Sequence, residues 1–149
     1  MTPLILWILL HFVVAAFCTW AARRYALHRK LVDQPGDRRS HSVATPRGGG
    51  ISIVLAVLLG IGWMLIQWPE HRLLLSCFAT GLVLVAGIGW VDDHRPLSPW
   101  LRLAVQGVAA LVLARGFYQA GGAVMPAMVA FVLVMVLVNV WNFMDGIDG

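Results

Sequence analysis

Asp92 and Asp93 stand side by side where an apolar run ends, in GIGWVDDHRPLSPW (87–100). Adjacent carboxylates titrate as a coupled pair, and one resists ionisation unless a cation compensates. A divalent metal, a cationic side chain, or a bound phosphate with its metal supplies that compensation. Arg102 comes nine residues after Asp93, early in the next apolar segment, where it could face the same site. A second polar group closes the chain in NVWNFMDGIDG (139–149), where Asn139, Asn142, Asp145 and Asp148 recur every three residues. Each helical residue turns about 100°, so this spacing drifts by about 60° per step. The four share one face only if the segment tightens or unwinds, as Gly146 and Gly149 permit. Their amides and carboxylates offer oxygen ligands for Mg²⁺ and hydrogen-bond partners for a nucleotide.

The third group is LVDQPGDRRSHSVATPRGGG (31–50). Arg38, Arg39, His41 and Arg47 are donors suited to phosphate. Gly48, Gly49 and Gly50 before a helix allow backbone N–H groups to converge where anions are favoured. Each group also has a plain structural reading. The loop is equally a basic juxtamembrane segment drawn to anionic headgroups. The aspartate pair is otherwise a solvated helix end turned by Pro96 and Pro99, and the last group a frayed polar terminus.

The elements that carry these groups are membrane spans. The chain is 60% hydrophobic and only 12% charged, against about 25% charged in soluble domains. A span needs about 20 mostly apolar residues, and five candidates are marked at 3–22, 51–68, 73–91, 99–114 and 123–144. The fold class is therefore all-α and polytopic. The first span has no basic residue before its core and has Arg23 and Arg24 after it, the reverse of a signal peptide. Cys18 and Cys77 lie inside apolar runs, so no disulfide framework is expected. His11 reads as an interhelical hydrogen bonder or an outward-facing residue, and the tryptophans near span ends read as interfacial belts.

Charge sets the orientation. Of the eleven basic residues only Arg72 and Arg115 fall in or beside the opposite loops. Positive loops stay cytoplasmic, which puts the N-terminus outside and the three polar groups on the cytoplasmic face. Acids have little influence on insertion, yet all but Glu70 sort to that same side. One site built from three segments explains the sorting. A metal or proton transporter would want its acids near the bilayer midplane instead.

Together DQPGDRRSHSVATPRGGG, GWVDDHRPLSPWLRLAVQ and NVWNFMDGIDG resemble the polyprenyl-phosphate N-acetylhexosamine-1-phosphate transferases, glycosyltransferase family 4. The resemblance implies that a phosphate oxygen of undecaprenyl phosphate attacks the β-phosphate of a UDP-N-acetylsugar, releasing UMP. The product would start an O-antigen or related envelope polysaccharide such as common antigen, in a bacterial inner membrane. Mg²⁺ is the implied cofactor, with Mn²⁺ as a substitute. Implied partners are the UDP-N-acetylsugar, undecaprenyl phosphate, membrane lipids and a second copy in a homodimer, with no nucleic acid.

Carried over by position, Asp92, Asp93 and Arg102 match catalytic residues, and Arg102 would contact pyrophosphate. The aspartate pair acts as base or as organiser of metal and cations; a lipid phosphate is already largely ionised, which favours organisation. Asn142 matches a metal-binding amide alongside Asp92 and Asp93, while His41, Arg47, Asp145 and Asp148 match substrate-binding positions. Gly36 departs from the family's usual asparagine and alters a local turn. Family members run to ten or eleven spans, so these 149 residues are expected to be an N-terminal half that is inactive alone. The alternative is a truncated membrane fragment or lipid-binding accessory subunit.

Overall fold

The structure, a computed structural model, describes residues 2–33 and 45–144. Five long helices follow one another: α1 Thr2–Arg29, α2 Ile51–Gln67, α3 Arg72–His94, α4 Pro99–Gly121 and α5 Val124–Met144. Two two-residue strands, β1 Val32–Asp33 and β2 Thr45–Pro46, pair antiparallel between α1 and α2. A single 3-10 turn at Pro69–His71 joins α2 to α3. Each helix packs on the next in sequence, most extensively α3 on α4 and α4 on α5. His41, Asp145 and Asp148 lie outside the described residues, and Asn142 is placed by its backbone in α5.

The fold is that of an all-α membrane protein. α1 over Leu4–Arg29, the segment Pro69–His94, and α4 are long and apolar enough to cross a bilayer, while α2 and α5 are shorter apolar helices. Most of the large apolar side chains on α1 and α5 are exposed, as lipid-facing surfaces are. Apart from Ile61, the buried apolar residues among those described are small: Ala26, Cys77, Ala109, Ala110, Ala127 and Ala130. In lipid, close backbone approach replaces the hydrophobic drive that packs soluble cores, and small residues permit that approach.

Gly116 shows how close the approach is. A Cβ placed there would lie 2.9 Å from Cys77 Cβ and 3.3 Å from both Cys77 Sγ and Leu74 Cδ1. Gly116→Ala would gain about 0.5–1 kcal/mol of helix propensity, but overpacking costs about 1–3 kcal/mol. The clash is with a backbone-anchored Cβ, so the steric term wins. A net fall in the unfolding midpoint in detergent is expected, and a rise would show that α3 and α4 pack less tightly here.

Two helices run past the ends that charge suggested. α1 continues beyond Ala22 to Arg29, and stops where Lys30 adopts a left-handed φ of 56°. Leu31 N–H donates to Ala26 O at 2.8 Å and Lys30 N–H to Leu27 O at 3.3 Å, the two bonds of a Schellman motif. α4 continues beyond Ala114 to Gly121, where Gly122 (φ 65°) donates to Tyr118 O at 2.7 Å. In both cases a single arginine or pair was read as the span's end. The helix itself ignores the water boundary, because arginine is a good helix former.

Candidate functional site

The site grows from the last turn of α3. Asp92 and Asp93 lie inside the helix, and Arg95 N–H caps Val91 O at 2.8 Å. Pro96 and Pro99 cannot continue α3 and turn the chain into α4. Ser98 is the N-cap of α4, its hydroxyl accepting Leu101 N–H at 3.2 Å, with Pro99 at the first helical position. This short turn brings Arg102 back beside Asp92.

Asp92 uses both carboxylate oxygens. Oδ2 accepts from Arg102 Nη1 at 2.9 Å, and Oδ1 accepts the Leu97 N–H at 2.8 Å. Side-chain exposures of 31% for Arg102 and 27% for Asp92 put this pair between surface and core. Here an ion pair stabilises more than its surface counterpart, and the guanidinium keeps four further N–H groups to offer elsewhere. The expectation that Arg102 faces the aspartate site therefore holds in geometry. Asp93 is half-buried on the following position of the helix.

The sequence reading missed a brace beside the aspartates. His94 Nδ1 lies 2.8 Å from Trp90 O. A carbonyl can only accept, so Nδ1 carries the proton there. The other ring nitrogen, Nε2, is hydrogen-bonded to the Tyr25 hydroxyl at 3.0 Å. Tyr25 also stacks on Trp90 at 5.5 Å between centroids. Gly48, with φ 86°, sits against the same indole: a Cβ there would come 3.6 Å from its Cζ3. Trp90 is thus a junction between α1, α3 and the loop before α2, beyond any role at an interface.

Arg47 belongs to that loop, and its N–H donates to Leu31 O at 3.0 Å. The glycines behave differently from an open anion cradle. Ile51, Ser52 and Ile53 N–H groups turn back onto Gly48, Gly49 and Gly50 carbonyls at 3.3, 3.4 and 3.1 Å. Ser52, 3% exposed, donates to Gly49 O at 2.8 Å and accepts from Thr19 at 2.9 Å, tying α2 to α1. His11, at the other end, donates from Nδ1 to Trp7 O of its own helix at 2.9 Å instead of between helices.

Tyr25→Phe tests the brace. It removes one half-exposed hydrogen bond and keeps the stack, so the loss of stability should be about 0.5–1.5 kcal/mol. Tyr25→Ala, which also removes the stack, should lose clearly more in the same thermal scan. Equal losses would show that the hydroxyl carries the whole contact.

The profile of glycosyl transferase family 4 matches residues 74–149, just over half of the chain. The chain belongs to glycosyl transferase family 4. The family's match takes in Asp92, Asp93, His94, Arg102 and the run from Asn139. The undecaprenyl-phosphate alpha-N-acetylglucosaminyl 1-phosphate transferase of Yersinia pestis is 33% identical over 144 residues, 87% of this chain and 38% of that protein. Its namesake from Pasteurella multocida is 36% identical over 84 residues, 56% of this chain and 22% of that protein. A probable undecaprenyl-phosphate N-acetylglucosaminyl 1-phosphate transferase of Bacillus subtilis is 27% identical over 141 residues, 85% of this chain and 38% of that protein. This family member thus spans well under half the length of the curated relatives it matches. No solved structure matches it.

The fit of a metal is divided. Among the described residues no group of three His, Cys, Asp or Glu side chains gathers as a metal site. Asp92 already accepts two hydrogen bonds, one on each oxygen. Carboxylate and amide oxygens, the donor types that suit Mg²⁺, occur in the sequence at Asp93 and in the run from Asn142, whose Asp145 and Asp148 lie outside the described residues.

Proposed function

We propose that this protein is the membrane transferase that moves an N-acetylhexosamine 1-phosphate from a UDP-sugar to undecaprenyl phosphate. The observation that carries the reading is the 2.9 Å pair between Asp92 and Arg102, which gathers an acid of α3 and a cation of α4 at one end of the bundle. Relatives named for this reaction, and the family to which the chain belongs, support it.

In this reading a lipid-phosphate oxygen forms a bond to the sugar-bearing β-phosphorus of the UDP-sugar. The bridging P–O bond breaks, and its electron pair leaves with UMP. Both reactants are anions, so positioning and charge neutralisation are the main work of the site. Arg102 neutralises pyrophosphate with the donors that Asp92 leaves unused. Asp92 aims that guanidinium instead of removing a proton. Asp93 and Asn142 would hold Mg²⁺, which supplies further positive charge when bound. Asp145 and Asp148 meet the nucleotide end, and His41 and Arg47 close the site from the loop before α2. The sugar is N-acetylglucosamine, as in the names of the relatives, and the product feeds an O-antigen or related envelope glycan. The protein lies in the bacterial inner membrane with its aspartate end in the cytoplasm, as a homodimer.

The test uses the full-length protein in lipid nanodiscs with UDP-[¹⁴C]N-acetylglucosamine and undecaprenyl phosphate. Label should move to the lipid phase with one UMP released per transfer, and chelation of Mg²⁺ should stop both. Absence of label transfer with Mg²⁺ present would overturn the reading. A cysteine at Ser42 in intact cells should react only with a membrane-permeant reagent; labelling from outside would overturn the orientation.

A further inference from the structure

Gln106 is 6% exposed, a nearly sealed amide within a span of α4. Its Oε1 accepts from Asn139 Nδ2 of α5 at 3.0 Å, and the same nitrogen donates to Met135 O at 2.8 Å. The carbonyl of Met135 can only accept, so the Asn139 amide is held with its nitrogen toward it. Gln106 must then present oxygen, not nitrogen, to complete the pair. Polar side chains at this depth are costly to bury, and across helices they act as glue. Neither residue reaches the Asp92–Arg102 pair through a contact given by the structure.

Gln106 lies one helical turn beyond Arg102 on the same face of α4, about 6 Å deeper. Asn139 lies just under one turn before Asn142 on α5, about 4.5 Å deeper. The two helices run in opposite directions, joined at Gly122 by a two-residue turn. Tying Gln106 to Asn139 therefore brings the backbone of Asn142 level with that of Arg102. We infer that Gln106 and Asn139 are positioning residues: an amide clamp that sets the register of α5 against α4 and so holds the backbone of Asn142 level with Arg102. The consequence for catalysis rests on the transferase reading above. The register itself does not.

A slip of one residue moves α5 by about 1.5 Å and turns it by about 100°, and a misplacement of about 1 Å can cost about 10²-fold in rate. Gln106→Leu and Asn139→Leu each remove the clamp while keeping an apolar, helix-compatible side chain. The exchange Gln106→Asn with Asn139→Gln keeps both amides and their summed length.

The experiment has two arms in the full-length protein. Spin labels at Leu101 and Val140, both exposed, report the α4–α5 register as an electron–electron distance. One narrow distribution is expected in the parent and in the exchanged pair, and a shifted or broadened one in each leucine variant. The second arm measures steady-state transfer: kcat should fall tenfold or more in the leucine variants with KM for the UDP-sugar within twofold, and the exchange should recover most of it. An unchanged distance distribution in both leucine variants overturns the clamp. A changed distribution with unchanged kcat overturns its positioning role. A parent protein that transfers nothing sinks the transferase reading instead, and leaves the distance arm to judge the clamp.

Discussion

Asp92→Asn in the full-length protein should lower sugar-phosphate transfer by about 10²-fold or more with membrane insertion unchanged. The reason lies in what faces the side chain. Arg102 Nη1 approaches one oxygen and Leu97 N–H the other, both of them donors. An asparagine has one oxygen and one NH₂ group, so either orientation turns donor against donor. If it serves Leu97, the guanidinium loses its partner; if it serves Arg102, the turn into α4 loses its anchor. An unsatisfied donor costs about 1–3 kcal/mol, too little to expel a five-helix bundle from the membrane. It is enough to misdirect the cation. Transfer assayed beside resistance to alkaline extraction separates the two effects, and near-normal transfer would remove Asp92 from the site.

Arg102→Ala should be at least as damaging, at about 10²–10³-fold, the usual cost of losing one donor aimed at developing charge. Lysine should rescue only part of this, because a single ammonium cannot hold Asp92 and reach a second anion as a planar fork does. The informative variant is the double one. If Asp92 acts through Arg102, Asp92→Asn adds almost nothing once Arg102 is gone, since interacting residues are not additive. Losses that multiply would mean that Asp92 meets substrate or metal on its own account.

The sequence made the fold class and the aspartate–arginine pairing readable for a local reason. Asp92 and Arg102 are ten residues apart, and the prolines between them force a turn whose consequence can be worked out from backbone rules. Tyr25 and His94 are 69 residues apart, and Asn139 and Gln106 are 33 apart. No periodicity encodes such meetings; they follow from which helix packs on which. Asn139 was visible as part of a polar run, but its partner lies in a segment whose apolar pattern hides a single glutamine. Helix ends were misjudged where charge was taken as a boundary. The terminator Gly122 was there to be read, while Lys30 in a left-handed conformation was not, because lysine seldom occupies it.

The length of α1 has a consequence of its own. Its 28 residues reach about 42 Å, against about 30 Å of hydrocarbon. The surplus, about 12 Å for a helix upright in the bilayer, carries Arg23, Arg24, Tyr25 and Arg29, and in the orientation proposed above it would stand clear of the oil like a mooring post in shallow water. Tyr25 ties this post to the helix that bears the aspartates. For the transferase proposed above a shoreline results: a reactant dissolved in the aqueous phase can arrive without wetting the bilayer, and one tethered in lipid can present its head without leaving it.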